Sequence, residues 1–190
     1  MHANRGTSVD AVLTDLREGC EKPLVPSIHK QIAIDETDLK LVKQMVRDGR
    51  ITWADLGSSL GLSAPAAADR VKKLEQGGVI RGYTALVDHE QLGAGVTAFV
   101  AVRLERPRHR DAFLKRVKSL DAILECHHVA GDDDFLLKVR TGKLADLEKL
   151  VSSELKGIEG VAGTRTTIVL STVKETLAPP LVVARPRGSE

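Results

Sequence analysis

Hydrophobic residues near the start of the chain recur with the period of an amphipathic helix. Ile34, Leu41 and Met45 lie on one stripe of a helical wheel, with Val42 beside it. Asp35 stands where a side-chain cap is needed, and Gly49 follows where a helix commonly ends. The pattern predicts a first helix between Asp35 and Gly49.

Two shorter helices follow at close spacing. Thr52 is a suitable N-cap for a second helix that runs to about Leu60 and breaks at Gly61. Ser63 is a suitable N-cap for a third helix that ends before Gly77. The sequence therefore predicts a unit of three helices.

The third helix has two different faces. Ala67, Val71 and Leu74 share the side that packs on the other helices, and Arg70 lies at the boundary of that side. The opposite side carries Pro65, Ala66, Asp69, Lys72 and Lys73.

Beyond the third helix the pattern changes to the two-residue alternation of strands. The stretch YTALVD, residues 83–88, predicts a strand that pairs with a neighbour as a small wing. From residue 97 the order is strand, helix, strand, strand, helix, strand, and the turn GDDD joins the middle strands. Two strand-helix-strand halves predict a ferredoxin-like βαββαβ domain, an antiparallel sheet with both helices on one face.

The expected fold class is α+β. Prolines at 23 and 26 interrupt any helix near the N-terminus, and the C-terminal tail has prolines and no period. The predicted domains are a loosely ordered N-terminal extension (1–33), the three-helix unit with its wing (34–88), a linker (89–96), a ferredoxin-like domain (97–178) and a C-terminal tail (179–190).

Composition excludes several classes of protein. Of the 190 residues, 42% are hydrophobic and 28% are charged, as in folded domains rather than disordered chains. No apolar run approaches the roughly 20 residues that cross a bilayer, and the N-terminus lacks the order of a signal peptide, so we expect a cytoplasmic protein. The net charge of +2 is too small to indicate nucleic-acid binding by itself.

The third helix nevertheless has local features of a DNA-binding helix. Four basic side chains lie between Arg70 and Arg81, whereas the acidic side chains of this unit lie mainly in the first helix and at caps. Small residues at its N-terminal end permit close approach to a major groove, and cations farther along can meet phosphates. The alternative is a solvated amphipathic helix whose lysines only add solubility.

Several motifs together resemble one known family. The stretch from DETDLK to YTALVD, residues 35–88, resembles the winged helix-turn-helix of the leucine-responsive and asparagine regulators, the Lrp/AsnC family. Two later stretches resemble the effector-binding half of that family: ILECHHVAGDDDFLLKVR and GIEGVAGTRTTIVLSTVKET.

The resemblance implies a transcription factor, not an enzyme, that binds double-stranded DNA at pseudo-palindromic promoter sites. It implies homodimers that assemble to tetramers or octamers and bind an amino acid or related metabolite between subunits. It also implies association with the nucleoid, and no cofactor other than the amino-acid effector.

The resemblance also assigns residues to the DNA interface. Thr52 and Ser63 stand at helix starts that face phosphate, and Arg70 stands at the family's basic position. Asp69 is unusual because an outward carboxylate repels phosphate, although it could accept from a cytosine N4 or pair with Lys73. Our hypothesis is that Asp69 tightens base selectivity at a cost in affinity. The predicted DNA-binding residues are Arg50, Thr52, Ser63, Pro65, Ala66, Asp69, Arg70, Lys72 and Lys73.

The turn VAGDDDF has three interpretations. Asp and Gly favour hairpin turns for local reasons, and clustered carboxylates can also bind a hard cation. The resemblance implies instead that the turn and the stretch TRTTI line an amino-acid pocket. In that hypothesis Asp134 holds the ammonium, while the Gly131 N–H and the hydroxyl of Thr166 or Thr167 take the carboxylate. The predicted effector-binding residues are His128, Gly131, Asp132, Asp134, Thr166, Thr167 and Ile168.

No metal site or catalytic residue is predicted. Cys126, His127 and His128 are metal-ligand types, but they alternate between the sides of a strand, so only two could meet one ion. One rival to the DNA hypothesis is a metabolite-sensing module that acts through a protein partner. Another is a small enzyme that uses the Asp cluster with His127 or His128, although no nucleophile with a matching base stands out.

Overall fold

The computed structural model of the chain describes residues 33–176. The predicted N-terminal extension, apart from Ala33, and the predicted tail of residues 179–190 lie outside the described residues. Residues 33–84 and 85–176 form two compact units. None of the helices between residues 33 and 176 is long and apolar enough to cross a membrane.

The first unit contains the three predicted helices, which are α1 (Glu36–Arg47), α2 (Trp53–Leu60) and α3 (Ala64–Gln76). Their buried side chains form one small core of six residues: Leu41, Met45, Leu56, Ala67, Val71 and Leu74. The predicted packing side of α3 supplies three of them. Burial of this apolar stripe is the main source of stability for helices too short to persist alone.

Each helix begins at the cap that the sequence predicted. Asp35 Oδ1 accepts a hydrogen bond from the Asp38 N–H at 2.7 Å. Thr52 and Ser63 each accept from the amide three residues on, at 3.1 and 3.3 Å. Gly61 ends α2 in the left-handed region, at φ 68°, where glycine has no steric penalty. Local side-chain chemistry therefore sets the ends of these helices.

The predicted wing is wrong. Residues 81–88 adopt neither helix nor strand. Within residues 33–84 the regular elements are all helical. Tyr83 Oη instead donates to Glu75 Oε1 at 2.7 Å, which fastens the segment to the last turn of α3.

The second unit confirms the predicted ferredoxin-like order. Its strands are β1 (Val96–Leu104), β2 (Ile123–His128), β3 (Phe135–Thr141) and β4 (Val161–Ile168). Its helices are α4 (Arg110–Lys118), which follows a 3₁₀ turn at Pro107–His109, and α5 (Leu144–Lys149). The sheet order is β2-β3-β1-β4, and every neighbouring pair is antiparallel.

The helices α4 and α5 pack on one face of this sheet. Val100 lies at the centre of β1, opposite Leu137 of β3 and Thr166 of β4. The buried core joins the inward side chains of the sheet to both helices: Ala98, Val100, Val102, Phe113, Val117, Phe135, Leu137, Val139, Leu147, Leu150 and Leu155. The other face of the sheet carries charged side chains, including Lys138 and Arg140 of β3.

The second predicted helix of this unit does not end as an ordinary α-helix. It continues as a π-helical segment, Leu150–Leu155, in which the Lys156 N–H donates to the Val151 carbonyl at 3.1 Å. Residues five apart diverge around an α-helix, whereas the wider π turn brings them together. Leu150 and Leu155 are both buried, at 5% and 0% exposure, so the π segment lets both side chains enter the core.

Candidate functional site

The outward side of α3 combines small residues with exposed charges. Pro65 is exposed in the first turn, and Ala66 beside it is half-buried. Asp69, Lys72 and Lys73 are exposed farther along the same side. The N-terminal end of the helix therefore has little side-chain bulk, and its positive dipole end faces outward with it.

Arg70 turns away from this surface and toward α1. Its Nη1 donates to Asp35 Oδ2 and to Asp38 Oδ1, both at 2.7 Å. The Arg70 side chain is 33% exposed and that of Asp38 is 12% exposed. Arg70 was predicted to contact DNA, but the structure places its Nη1 in ion pairs within the three-helix unit.

Asp69 does not form the ion pair with Lys73 that was one of its two predicted interactions. The ion pairs among residues 33–84 join Lys40 to Glu36, and Arg70 to Asp35 and Asp38. Asp69 is exposed and its carboxylate pairs with no cation of residues 33–176. The i,i+4 interaction with Lys73 is therefore absent, which leaves the outward carboxylate available to an external donor.

The start of α2 is also partly used within the fold. The Thr52 hydroxyl accepts from the Asp55 N–H and donates to Asp55 Oδ2 at 2.6 Å. The Arg50 N–H donates to Asp48 Oδ1 at 2.9 Å, and its side chain is exposed. Arg50 therefore offers a cation near this helix start, whereas Thr52 is already satisfied by its neighbour.

In the second unit, the carboxylate of Asp134 closes the turn onto β1. Its Oδ2 accepts from the Leu104 N–H at 2.7 Å, and its own N–H donates to the Val102 carbonyl at 2.9 Å. Gly131 is exposed in the same turn with φ 145°, a conformation that favours glycine. One oxygen of the Asp134 carboxylate, which was predicted to hold an ammonium, thus accepts a hydrogen bond from the backbone.

An ion pair connects the turn to the last strand. Arg165 of β4 donates from Nη2 to Asp133 Oδ2 at 2.5 Å. Neither Arg165 nor Asp133 was among the predicted effector-binding residues. The available signal was charge complementarity, since a single arginine stands within TRTTI and three carboxylates within GDDD.

The other predicted effector residues lie at the end of β2 and on the edge strand β4. His128 is exposed, and its ring centroid is 5.2 Å from that of Phe135. Thr166, Thr167 and Ile168 are exposed and lie opposite Val100, Phe99 and Ala98 of β1 respectively. Because strand side chains alternate between faces, Thr166 and Thr167 cannot both point at one ligand on one face.

His127 and Cys126 lie side by side in β2 in different environments. His127 Nε2 lies 2.9 Å from Glu125 Oε2, and this contact together with Lys138 lowers the pKa of Glu125. Burial raises the pKa of the half-buried Cys126 thiol. No group of three potential metal ligands comes together anywhere in residues 33–176.

Both units match domains of known proteins. Residues 34–75 match the model of the AsnC-type helix-turn-helix domain, and residues 97–179 match that of the Lrp/AsnC ligand binding domain. The leucine-responsive regulatory protein of Haemophilus influenzae is 40% identical over 146 residues, which span 76% of this chain and 88% of the relative. The chain belongs to the Lrp/AsnC family of transcriptional regulators.

Solved structures of Lrp/AsnC regulators have the same architecture. A transcriptional regulator from Neisseria meningitidis, in complex with L-methionine, aligns with TM-score 0.74 and 28% identity over 77% of this chain and 96% of its own. A feast or famine regulatory protein from Mycobacterium tuberculosis, also complexed with L-methionine, aligns with TM-score 0.72 and 33% identity over 77% and 99%. The resemblance of the sequence to this family is confirmed. Helices α1 to α3 form the DNA-binding unit of this protein.

Proposed function

We propose that α3 is the recognition helix and that amino-acid binding to the second unit changes the affinity of the protein for promoter DNA. The observation that carries this proposal is the division of α3 into two sides. Ala67, Val71 and Leu74 are buried in the core, whereas Lys72 and Lys73 are exposed and form no ion pair with residues 33–176. A helix supported on one side and charged on the other suits insertion into a major groove.

The proposed contacts follow from the position of each side chain on α3. Pro65 and Ala66 permit close approach to base edges at the N-terminal end, and Ser63 caps that end near phosphate. Lys72 and Lys73 neutralise phosphates, and the exposed Arg50 adds a cation at the neighbouring helix start. Asp69 accepts from a cytosine N4, which favours some sequences while it repels phosphate generally.

The effector is proposed to be an amino acid, with methionine and leucine as the first candidates. Two structural relatives were solved with L-methionine, and the curated relatives are named leucine-responsive. In the second unit the carboxylate best placed for an ammonium is Asp132, which is exposed and pairs with no cation of residues 33–176. His128, Gly131, Asp134, Thr166, Thr167 and Ile168 complete the proposed site.

The assembly is proposed to be a homodimer that associates further to a tetramer or octamer. A two-fold dimer presents two α3 helices, so it would bind a pseudo-palindrome with half-sites about one DNA turn apart. Such a protein acts on the cytoplasmic nucleoid and has no catalytic role. Light scattering of the purified protein, with and without the amino acids, measures the number of subunits directly.

The DNA surface is tested by the salt dependence of affinity for DNA upstream of the gene. Fluorescence anisotropy should show a steep loss of affinity with salt, and Lys72→Ala should reduce the slope of log K against log salt by about one. Lys115→Ala, at an exposed position of α4, is the matched control and should leave the slope unchanged. A Lys72→Ala slope equal to that of the control would contradict a DNA-facing α3.

Amino-acid binding is tested by calorimetry with methionine and leucine. Asp132→Asn should weaken binding by at least about tenfold, because an ammonium loses its charged partner. Glu148→Gln, at an exposed position of α5, makes the same change of charge and should have no effect. Equal affinities for the two variants would remove Asp132 from the site.

A further inference from the structure

We propose that Asp35, Asp38 and Arg70 form a clamp that sets the orientation of α3 for DNA, and that Arg70 is a positioning residue rather than a phosphate contact. The proposal rests on the assignment of α3 as the recognition helix. It reverses the role that the family resemblance gave to Arg70.

The two carboxylates of the clamp are fully used. Asp35 Oδ1 accepts from the Asp38 N–H at 2.7 Å, and Asp38 Oδ2 accepts from the Asp35 N–H at 3.1 Å. These bonds form the capping box that begins α1. The two remaining oxygens both accept from Arg70 Nη1. The clamp therefore joins the first turn of α1 to the middle of α3 through two hydrogen bonds, and two more hold the carboxylates in place within α1.

Electrostatics favour the clamp over a DNA contact. Two carboxylates face a single guanidinium, so the cluster is negative overall and would repel phosphate. Both aspartates raise the pKa of Arg70, and the Asp38 N–H together with Arg70 lowers the pKa of Asp35. Removing Arg70 would leave the nearly buried Asp38 carboxylate, whose side chain is 12% exposed, without its charged partner.

The position of Arg70 on the helix explains why orientation depends on it. Arg70 directly follows the outward Asp69 and directly precedes the buried Val71. The core contacts of α3 are aliphatic and non-directional, whereas hydrogen bonds to two carboxylates define a direction. A rotation of α3 would move Asp69 and Ala66 relative to the groove without removing any basic residue.

The test uses Asp38→Asn in the full-length protein, with anisotropy against upstream DNA and random-sequence DNA. The substitution keeps an acceptor for the capping box and removes one negative charge, so simple electrostatics predicts equal or tighter binding to both DNAs. The clamp predicts about tenfold weaker binding to upstream DNA and little change on random DNA, because orientation affects specific contacts.

Glu36→Gln is the matched control. It removes one negative charge from the same turn of α1, and among residues 33–176 Glu36 pairs only with Lys40, in an exposed i,i+4 ion pair. Its effect on either DNA should be less than about twofold. Thermal unfolding and stoichiometric titration of the active fraction separate a loss of orientation from a loss of folded protein, since unfolding lowers apparent binding to both DNAs alike.

The salt dependence of Arg70→Gln provides an independent test. A positioning role leaves the slope of log K against log salt at its wild-type value, whereas a phosphate contact lowers it by about one, as for Lys72→Ala. A lowered slope, or Asp38→Asn binding as tight as Glu36→Gln, would overturn the clamp. If the wild-type protein itself fails to bind upstream DNA, the proposed function fails instead.

Discussion

The two candidate sites of this protein are built in different ways. The proposed DNA-binding surface comes from α3 and its cap, within residues 63–73, together with Arg50 and Thr52 at the start of α2. The effector site draws on β2, the turn after it, and β4, and β3 and α5 with its π-helical continuation lie between that turn and β4 in the sequence. Local periodicity determines the geometry of a site on one helix. The geometry of a site assembled from several strands depends instead on which polar groups are already hydrogen-bonded within the fold.

This difference extends to the cores that support the sites. The first unit has six buried core residues and the second has eleven. A smaller unit buries a smaller fraction of its surface, so it has less stability to lose. The proposed DNA-binding surface is therefore carried by the unit that a single core substitution should damage most.

The largest expected effect comes from truncating a leucine in the smaller core. Leu56→Ala should cost about 2–5 kcal/mol, enough to unfold the three helices and abolish DNA binding. The matched change Leu137→Ala should cost a similar free energy while the sheet of the second unit stays folded. Amide exchange in the full-length protein would measure the protection of each unit in both variants. Equal loss of protection in the two variants would contradict the expected difference between the units.

A smaller effect is expected where the effector turn closes onto β1. Asp134→Ala leaves the Leu104 N–H without its acceptor and should destabilise the second unit by about 1–3 kcal/mol. Asp134→Asn retains an acceptor oxygen and should recover most of that stability. If calorimetry shows that the Asn variant also binds amino acid normally, the role of Asp134 is structural and its charge is not needed by the site.

The ion pair between the turn and β4 should contribute less. Arg165 is 71% exposed, so Arg165→Ala should change the free energy of unfolding by only about 0.2–1 kcal/mol. Its effect on amino-acid affinity should be larger, because the substitution releases Asp133 beside the proposed ammonium site. Thermal unfolding and calorimetry on the same variant would separate the two effects, and a large loss of stability with unchanged affinity would contradict this assignment.

The smallest expected effect is a change in the titration of Asp35. Its pKa lies below the ordinary value of 3.8, so the carboxylate stabilises the folded state above that pH. This stabilisation is lost as the pH falls through the lowered pKa. Arg70→Gln should raise the pKa of Asp35 toward its ordinary value, but not fully, because the Asp38 N–H remains. Carboxyl carbon NMR would measure this shift, and an unchanged pKa would mean that Arg70 does not pair with Asp35 in solution.

The sequence predicted what depends on neighbouring residues. The caps at Asp35, Thr52 and Ser63 act on amides three residues away, so their signals were readable. The order of strands and helices in the second unit was likewise confirmed, because alternation and helical spacing are local patterns. The wing was not predicted correctly, because residues 81–88 adopt neither helix nor strand although their polar and apolar residues alternate.

Long-range polar contacts were the part that could not be predicted. Arg70 meets Asp38, which lies 32 residues earlier, and Asp134 meets the Leu104 N–H, which lies 30 residues earlier. Arg70 and Asp134 were predicted to bind a ligand because the family resemblance placed them in its DNA-binding and effector-binding regions. In the folded protein these side chains contact partners that are distant in sequence. Only the structure shows which charged groups remain available to a ligand.

The central claim, a DNA-binding helix controlled by an amino-acid site, is tested most directly by one anisotropy experiment. The purified protein is titrated onto DNA upstream of its gene at two salt concentrations, with and without methionine and leucine. The account predicts tight binding that falls steeply with salt and changes when one of the amino acids is present. Binding that ignores both salt and amino acids, or no binding at either salt concentration, would contradict it.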